Sequence, residues 1–480
     1  MRIEKDKKVN ENKYQRSEKF KIGCEALGGK AVAEISKETG MSESHIYRQK
    51  VAVKQYAEDM DNGNAKEVPT LRIDERTIKN TVLVLSLANQ SPLSGIKYFI
   101  KKIYGIDISV GTIHNILAEA SGRAKEYDSK VELSNISQVA VDELFQCGEP
   151  ILTGVDAEST YIFAMEPMNE RTGEAWQLVL EVAKDRGLEP KVCISDAAKG
   201  LIAGVERTFG ESEIQADTFH ALYELGKEVS KCEKKANKYI NAESELERKL
   251  KGAKPRNPEK LKQALEDNAP KMNEAISIYD HLSILYTWMR LLLGFSGYSQ
   301  TDTQKLVVWV LQEMALLAVG KAGLLKEIEK IKNLVPQLLS FVTRLEKQLD
   351  EIAVNAGVPP DICRLVYRNL TYLPNCIQGI EEQCVIVNAL QEKYTEVYNA
   401  IRTAMQSTKK ASSLVENVNG RIRVYIEVKR VIPPQFFVLL KVYLNTRRYP
   451  RSRCAERIGK SPLELLTKTS QPEFLDIIGF

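Results

Sequence analysis

SQVAVDELF (137–145), PILTGVD (150–156) and TYIFAME (160–166) follow one another with only short polar turns between them, each rich in β-branched or aromatic residues. Runs of this length and composition predict three consecutive strands. GEAWQLVLEVAKDR (173–186) changes to a helical period, PKVCISD (190–196) returns to a buried-type strand, AAKGLIAGVERTFG (197–210) reads as a helix closed by Gly210, and EIQAD (213–217) is a fifth strand. Three strands, helix, strand, helix, strand is the order of a mixed α/β core. Carboxylates are expected at three strand ends: Asp142, Asp196 and Asp217.

Downstream, residues 221–410 read almost entirely as helix, with a break at Pro255 to Pro258, and the plain expectation is a helical bundle. A further helix follows Pro433-Pro434, and then an irregular basic tail. Upstream, AVAEISKETGMSESHIYRQK (31–50) holds two short apolar faces broken at Gly40, with Ser42 placed to cap the second helix. That second helix is expected to turn Ser44, His45, Tyr47, Arg48 and Gln49 outward, as a DNA-reading helix-turn-helix does, although a small structural hairpin has the same pattern. Residues 74–125 are helical again. A second such unit has Gly105 at its turn and a helix opening at Ser109 that bears Thr112, His114 and Asn115. The division expected is therefore 1–60 and 70–130 as helical DNA-binding regions, 136–220 as the first part of the core, 221–410 as an all-helical insertion, and 411–480 as the returning part of the core.

The 480 residues carry Lys+Arg 68 against Asp+Glu 64, a net charge of +4 that by itself announces no nucleic-acid partner. The charge is unevenly placed. From Arg402 to Lys460 fourteen Lys and Arg face three Glu, +11 locally against −7 elsewhere, which is a footprint for phosphate. Within it Arg421, Arg423, Lys429, Arg430, Arg447, Arg448, Arg451 and Arg453 are the candidate phosphate contacts. Eight scattered cysteines with no Cys-x-x-Cys suggest reduced thiols in a cytosolic protein, and four scattered histidines make no zinc motif. The first twenty residues are charged with no apolar run, so no signal peptide is expected. No stretch is apolar enough for a membrane span, and no P-loop suggests ATP.

Asp142, Asp196 and Glu416, the last in a helix after the insertion, are the kind of acids a two-metal phosphodiester site requires. Hard Mg²⁺ takes oxygen ligands, and a pair of ions activates the attacking oxygen and stabilises the leaving one. Asp156 is a rival first acid that reads better as a turn residue, and Glu143 should point to the opposite face of its strand from Asp142. Glu427 competes with Glu416.

With these residues in place the chain resembles the D-D-E transposases of bacterial insertion sequences. The resemblance rests on VAVDELF around Asp142, ISDAAKGL around Asp196 and VENVNGRIR around Glu416. ADTFH, with Asp217 and His220, matches the C/D-x-x-H signature of Mutator-like and related transposases as an accessory motif. The resemblance implies a ribonuclease-H-like core interrupted by an all-helical insertion, and Glu416 does lie 220 residues after Asp196. It implies two Mg²⁺ ions (Mn²⁺ substituting), with Asp142 bridging both and Asp196 and Glu416 each completing one. Asn419 and Arg423 match the Asn and Arg that follow the family's Glu, and with Arg421 they are expected at the DNA. It further implies terminal-repeat binding, strand cleavage and strand transfer on double-stranded DNA, at least a homodimer in the DNA complex, and residence in the bacterial cytosol. Trp288 and Trp309 match aromatics that some relatives stack on a flipped base, but their apolar helical stripes favour core packing. A non-catalytic DNA-binding regulator and a nuclease that never joins strands remain the alternatives.

Overall fold

The computed structural model describes residues 14–61, 73–252, 256–372, 376–410, 413–452 and 454–480, with backbone alone at 61, 413 and 414. The chain divides into two compact units, Met1–Ile73 and Asp74–Phe480. In the first, α1 (Arg16–Leu27), α2 (Val32–Thr39) and α3 (Glu43–Asp61) enclose Ile22, Ala26, Ile35, Met41 and Ile46. Gly40 ends α2 at φ 72°, the left-handed turn that a residue without Cβ adopts freely. The helix before this pair, α1, crosses α3 closely: a Cβ on Gly23 would stand 2.6 Å from Val53 Cγ2 and 2.8 Å from the Gln49 carbonyl oxygen. This corrects the expected outward set. His45 is buried and sits 3.2 Å from Gln49 Nε2, because positions 45, 49 and 53 form the stripe of α3 that α1 covers.

The second unit opens with α4 (Glu75–Leu87), α5 (Leu93–Phe99, prolonged by one wide turn through Tyr104) and α6 (Val110–Ser129). Gly105 again supplies a left-handed turn, and Ser109 caps α6 by accepting the Thr112 N–H at 2.9 Å. These helices do not stand apart: Leu83, Ile96, Ile113 and Ala120 share one apolar core with Ala140, Leu144, Ile151 and Ile194 of the sheet.

The sheet is built from β1 (Gln138–Gln146), β2 (Glu149–Asp156), β3 (Ile162–Pro167), β4 (Val192–Ser195) and β5 (Glu213–Ala216) in the order β3-β2-β1-β4-β5. The first three pair antiparallel as consecutive hairpins, whereas β4 and β5 join parallel to β1 through α7 (Gly173–Lys184) and α8 (Lys199–Phe209). The strand period of two divides the layers. Val139, Val141 and Cys193 face Trp176, Leu180, Leu201 and Val205 of α7 and α8, while Ala140, Leu144 and Ile194 face the opposite layer.

From β5 the chain enters a long helical excursion, α9 (Thr218–Leu250), α10 (Pro258–Leu292), α11 (Gln300–Leu317), α12 (Ala322–Leu338), α13 (Ser340–Ala356), α14 (Pro360–Thr371), α15 (Ile377–Leu390) and α16 (Tyr394–Ser407), around two apolar cores, the first of which includes Ala216 of β5. It returns to the sheet through α17 (Ser413–Lys429) and α18 (Pro434–Thr446), and the chain continues to α19 (Pro462–Thr467) and α20 (Phe474–Ile478). The two ends of the excursion are fastened together. Thr218 donates its N–H (3.3 Å) and hydroxyl (2.9 Å) to the Lys410 carbonyl, while Arg344 of α13 reaches Glu213 and Gln215 of β5 and the Lys409 carbonyl at 3.2 Å. The architecture is thus a mixed five-stranded α/β core with a large helical insertion.

One buried charge cluster ties the layers at the β3 edge. Asp128 of α6 pairs with Arg186 after α7 and with Lys441 of α18, each at 3.1 Å, and accepts the Tyr161 hydroxyl at 3.1 Å. Lys441 also meets Glu166 at 3.3 Å. Removing one member of such a cluster leaves an uncompensated charge in the interior. Asp128→Ala should lower the unfolding free energy by about 3–5 kcal/mol, measured by denaturant titration.

Candidate active site

Asp142 does not close its strand, as expected from the sequence, but lies at the middle of β1, opposite Thr153 of β2. The strand runs on because β2 turns back through a hairpin and pairs with all of it. On its other side, β1 pairs with β4 only as far as Ala140 and Ile194. Asp142 and Asp196 each stand two residues beyond that pair, on the same face and at the carboxyl end of the parallel pairing, where open α/β sheets leave a crevice. Asp196 directly follows β4; its Oδ1 accepts the Ala198 N–H at 3.0 Å, and Ala197 between them takes φ 62°. A non-glycine residue held in that region is strained, and here the strain lies beside the acid it aims.

Glu416 arrives on α17. Val415, Val418, Ile422 and Tyr425 form the apolar stripe of that helix and enter the core under the sheet. The neighbouring stripe carries Glu416, Asn419 and Arg423, one turn apart in succession. Arg423 approaches Glu416 at 3.4 Å, and Asn419 Nδ2 donates to Asp142 Oδ2 at 2.6 Å. Glu427 sits eleven residues farther on, about 16 Å of helix rise from Glu416, and is exposed.

These placements meet in the ionisation of Asp142. Burial pushes its carboxyl up to about 7, with repulsion from Glu416 and Asp196 adding to the rise, against the Glu143 N–H (2.8 Å) and the Arg423 charge, which favour the anion. Glu143 turns to the other face, as strand alternation requires, where it meets Arg171 at 3.0 Å and the Trp176 indole N–H at 3.2 Å. Asp156 is the last residue of β2 and its side chain shapes the turn that follows: it accepts the N–H groups of Glu158 (3.3 Å) and Ser159 (2.8 Å) and the Ser159 hydroxyl, while burial raises its carboxyl. Among the described residues no three His, Cys, Asp or Glu side chains converge closely enough to cage one ion.

Asp217 is buried and accepts the Phe219 N–H at 2.7 Å as the N-cap of α9, and its own N–H bonds the Ser195 carbonyl, which places it beside Asp196. His220, one turn into α9, lines a small cavity with Asp196, Glu327 and Lys330.

The candidate DNA contacts are placed unequally. Ser44, Arg48, Thr112, His114, Asn115, Arg423, Arg447 and Arg451 are exposed. Asn419 is fully buried against Asp142, and Arg421 is half-buried with an Nε that has no partner. Arg448 grips Glu464 with two nitrogens, at 2.9 and 3.3 Å. Lys429 turns inward to Ser86 (3.2 Å) and the Ser91 carbonyl (2.8 Å), where burial lowers its ammonium to about 8. Arg453 lies outside the described residues. The expected core positions of Trp288 and Trp309 are corrected too. The two indoles stack on each other at 5.8 Å and are 42% and 43% exposed, because α10 and α11 pack instead through Leu285, Met289, Val307, Val310 and Met314. Arg344 had no local signal at all, since its partners Glu213 and Gln215 lie 131 and 129 residues away.

The raised Asp142 carboxyl has a direction in pH. Its folded value lies above the unfolded one of 3.8, so the folded chain keeps a proton that the unfolded chain has lost, and stability falls as pH climbs through about 7. Asp142→Asn should therefore stabilise the cation-free protein at pH 8, by on the order of 2–4 kcal/mol, and do little at pH 4. Denaturant titrations at the two pH values check this.

No curated protein matches the chain. The model of the Mutator family of transposases matches residues 92–242, a segment that runs from α5 into α9 and includes Asp142, Asp196, Asp217 and His220 but not Glu416. Over those residues, about a third of the chain, the sequence is similar to the transposases of the Mutator family.

Proposed function

We propose that the protein is a metal-dependent DNA transposase that binds the terminal inverted repeats of its element, cuts the DNA there and transfers the freed 3′-hydroxyl ends to target DNA. The observation that carries this reading is the convergence at Asp142: Asn419, one turn from Glu416 on α17, donates to Asp142 Oδ2 at 2.6 Å across 277 residues of sequence, and Asp196 follows β4 two residues beyond the last β1–β4 pair. The strand order β3-β2-β1-β4-β5 supports a ribonuclease-H-like core, and the Mutator-family match supports the reaction class.

The residues fit the divalent cations this chemistry uses. Mg²⁺ takes carboxylate oxygens and keeps several waters, so few protein ligands suffice; Asp142, Asp196 and Glu416 would be the residues that hold it. Divalent cations held there would polarise the phosphodiester and activate the attacking oxygen. Arg423 steadies Glu416, while Asp217 caps α9 beside Asp196. The exposed Arg447 and Arg451 supply phosphate contacts, and the helices bearing Ser44 and Arg48 or Thr112, His114 and Asn115 present exposed polar side chains to the terminal repeats. Joining two ends requires at least two subunits in the DNA complex.

The test uses purified protein, a labelled duplex of the element end and a target plasmid, with Mg²⁺ or Mn²⁺. Joined product should fall at least about a hundredfold in each of Asp142→Asn, Asp196→Asn and Glu416→Gln, with end binding retained. Cleavage without joining in the parent would favour the nuclease, and binding without any chemistry would favour the regulator.

A further inference from the structure

Asn419 has no solvent exposure, and the two ends of its amide are treated differently. Nδ2 donates to Asp142 Oδ2 at 2.6 Å, whereas the carbonyl Oδ1 is buried without a partner. A buried acceptor left unpaired destabilises a fold, and a leucine of similar volume would remove it. Packing therefore does not explain an asparagine here; its donor does. Asp142 Oδ1 already accepts the Glu143 N–H at 2.8 Å, so each carboxylate oxygen has its own donor, one from the strand backbone and one from the helix that carries Glu416. Turning the carboxylate about its Cβ–Cγ bond would break both bonds.

We propose that Asn419 is the positioning residue of the acid site: it fixes the carboxylate plane of Asp142 and ties that acid to the helix of Glu416, rather than contacting DNA. The inference rests on the reading of Asp142 as a cation-holding acid. Groups that orient a ligand through a hydrogen bond change cation affinity without touching the ion. Because Asn419 and Glu416 lie one turn apart, a single placement of α17 sets the distance between the two acids and the orientation of Asp142 together.

The experiment measures Mn²⁺ binding by calorimetry and by loss of the free-ion electron-spin signal, on the full chain without DNA. The parent is compared with Asn419→Leu, Asn419→Ala and Asp142→Asn, and each is melted to confirm folding. Asn419→Leu should weaken Mn²⁺ binding by about ten- to a hundredfold while it still melts cooperatively as a folded protein. Asn419→Ala keeps the comparison if leucine does not fit. Duplex binding in the presence of a chelator should not change. Mn²⁺ affinity unchanged in the Asn419 variants but lost in Asp142→Asn would overturn the positioning role alone. Weakened duplex binding with unchanged Mn²⁺ affinity would return Asn419 to the DNA. A parent with no saturable Mn²⁺ binding would overturn the cation-dependent reading itself and the positioning role with it.

Discussion

Successive residues of a strand point to opposite sides, and β1 sits at the centre of the sheet with both neighbours paired, so its register cannot slip without exchanging its two faces. That alternation governs the molecule. Ala140, Asp142 and Leu144 look toward α17, and Val139, Val141 and Glu143 look toward α7. Adjacent acids thus acquire unrelated surroundings. Glu143 meets Arg171 and an indole N–H, while Asp142 is half-buried, feels the like charges of Glu416 and Asp196, and has an amide holding one oxygen. The pairing of Ala140 with Ile194 then carries the same parity to β4 and sets Asp196 on the same face.

What the sequence made legible was local pattern. The five strands and the helices between them were readable because strand period and turn residues are written within windows of a few residues. The features that escaped depend on partners far along the chain. His45 reads as a surface histidine until α1 covers its stripe. Asn419 reads as a polar neighbour of Glu416 until Asp142, 277 residues away, takes its donor. Trp288 and Trp309 sit in apolar stripes too broad to be buried all round, and the stripe carrying Met289 and Val310 went inward instead.

Charge was misleading for a related reason. The run from Arg402 to Lys460 looks like one basic surface when counted along the sequence, yet Lys429 and Lys441 are drawn inside and Arg448 is engaged by Glu464. A lysine stem packs as an apolar group while its head seeks oxygen, so many basic residues serve as struts between elements. Arg344 does this across the greatest span, joining the insertion to β5 and to the segment that leads toward α17.

The bond between Thr218 and Lys410 closes a loop of 192 residues. Were that loop flexible, holding its ends together would carry an entropy penalty that grows only with the logarithm of its length. The excursion is not a loose loop: its helices enclose two apolar cores, one of which also takes in Ala216 of β5. If those helices form first, what remains to be closed is a gap of a few residues between preorganised ends. The late contact between distant parts of the sequence then becomes a short-range step, made where Thr218 meets Lys410.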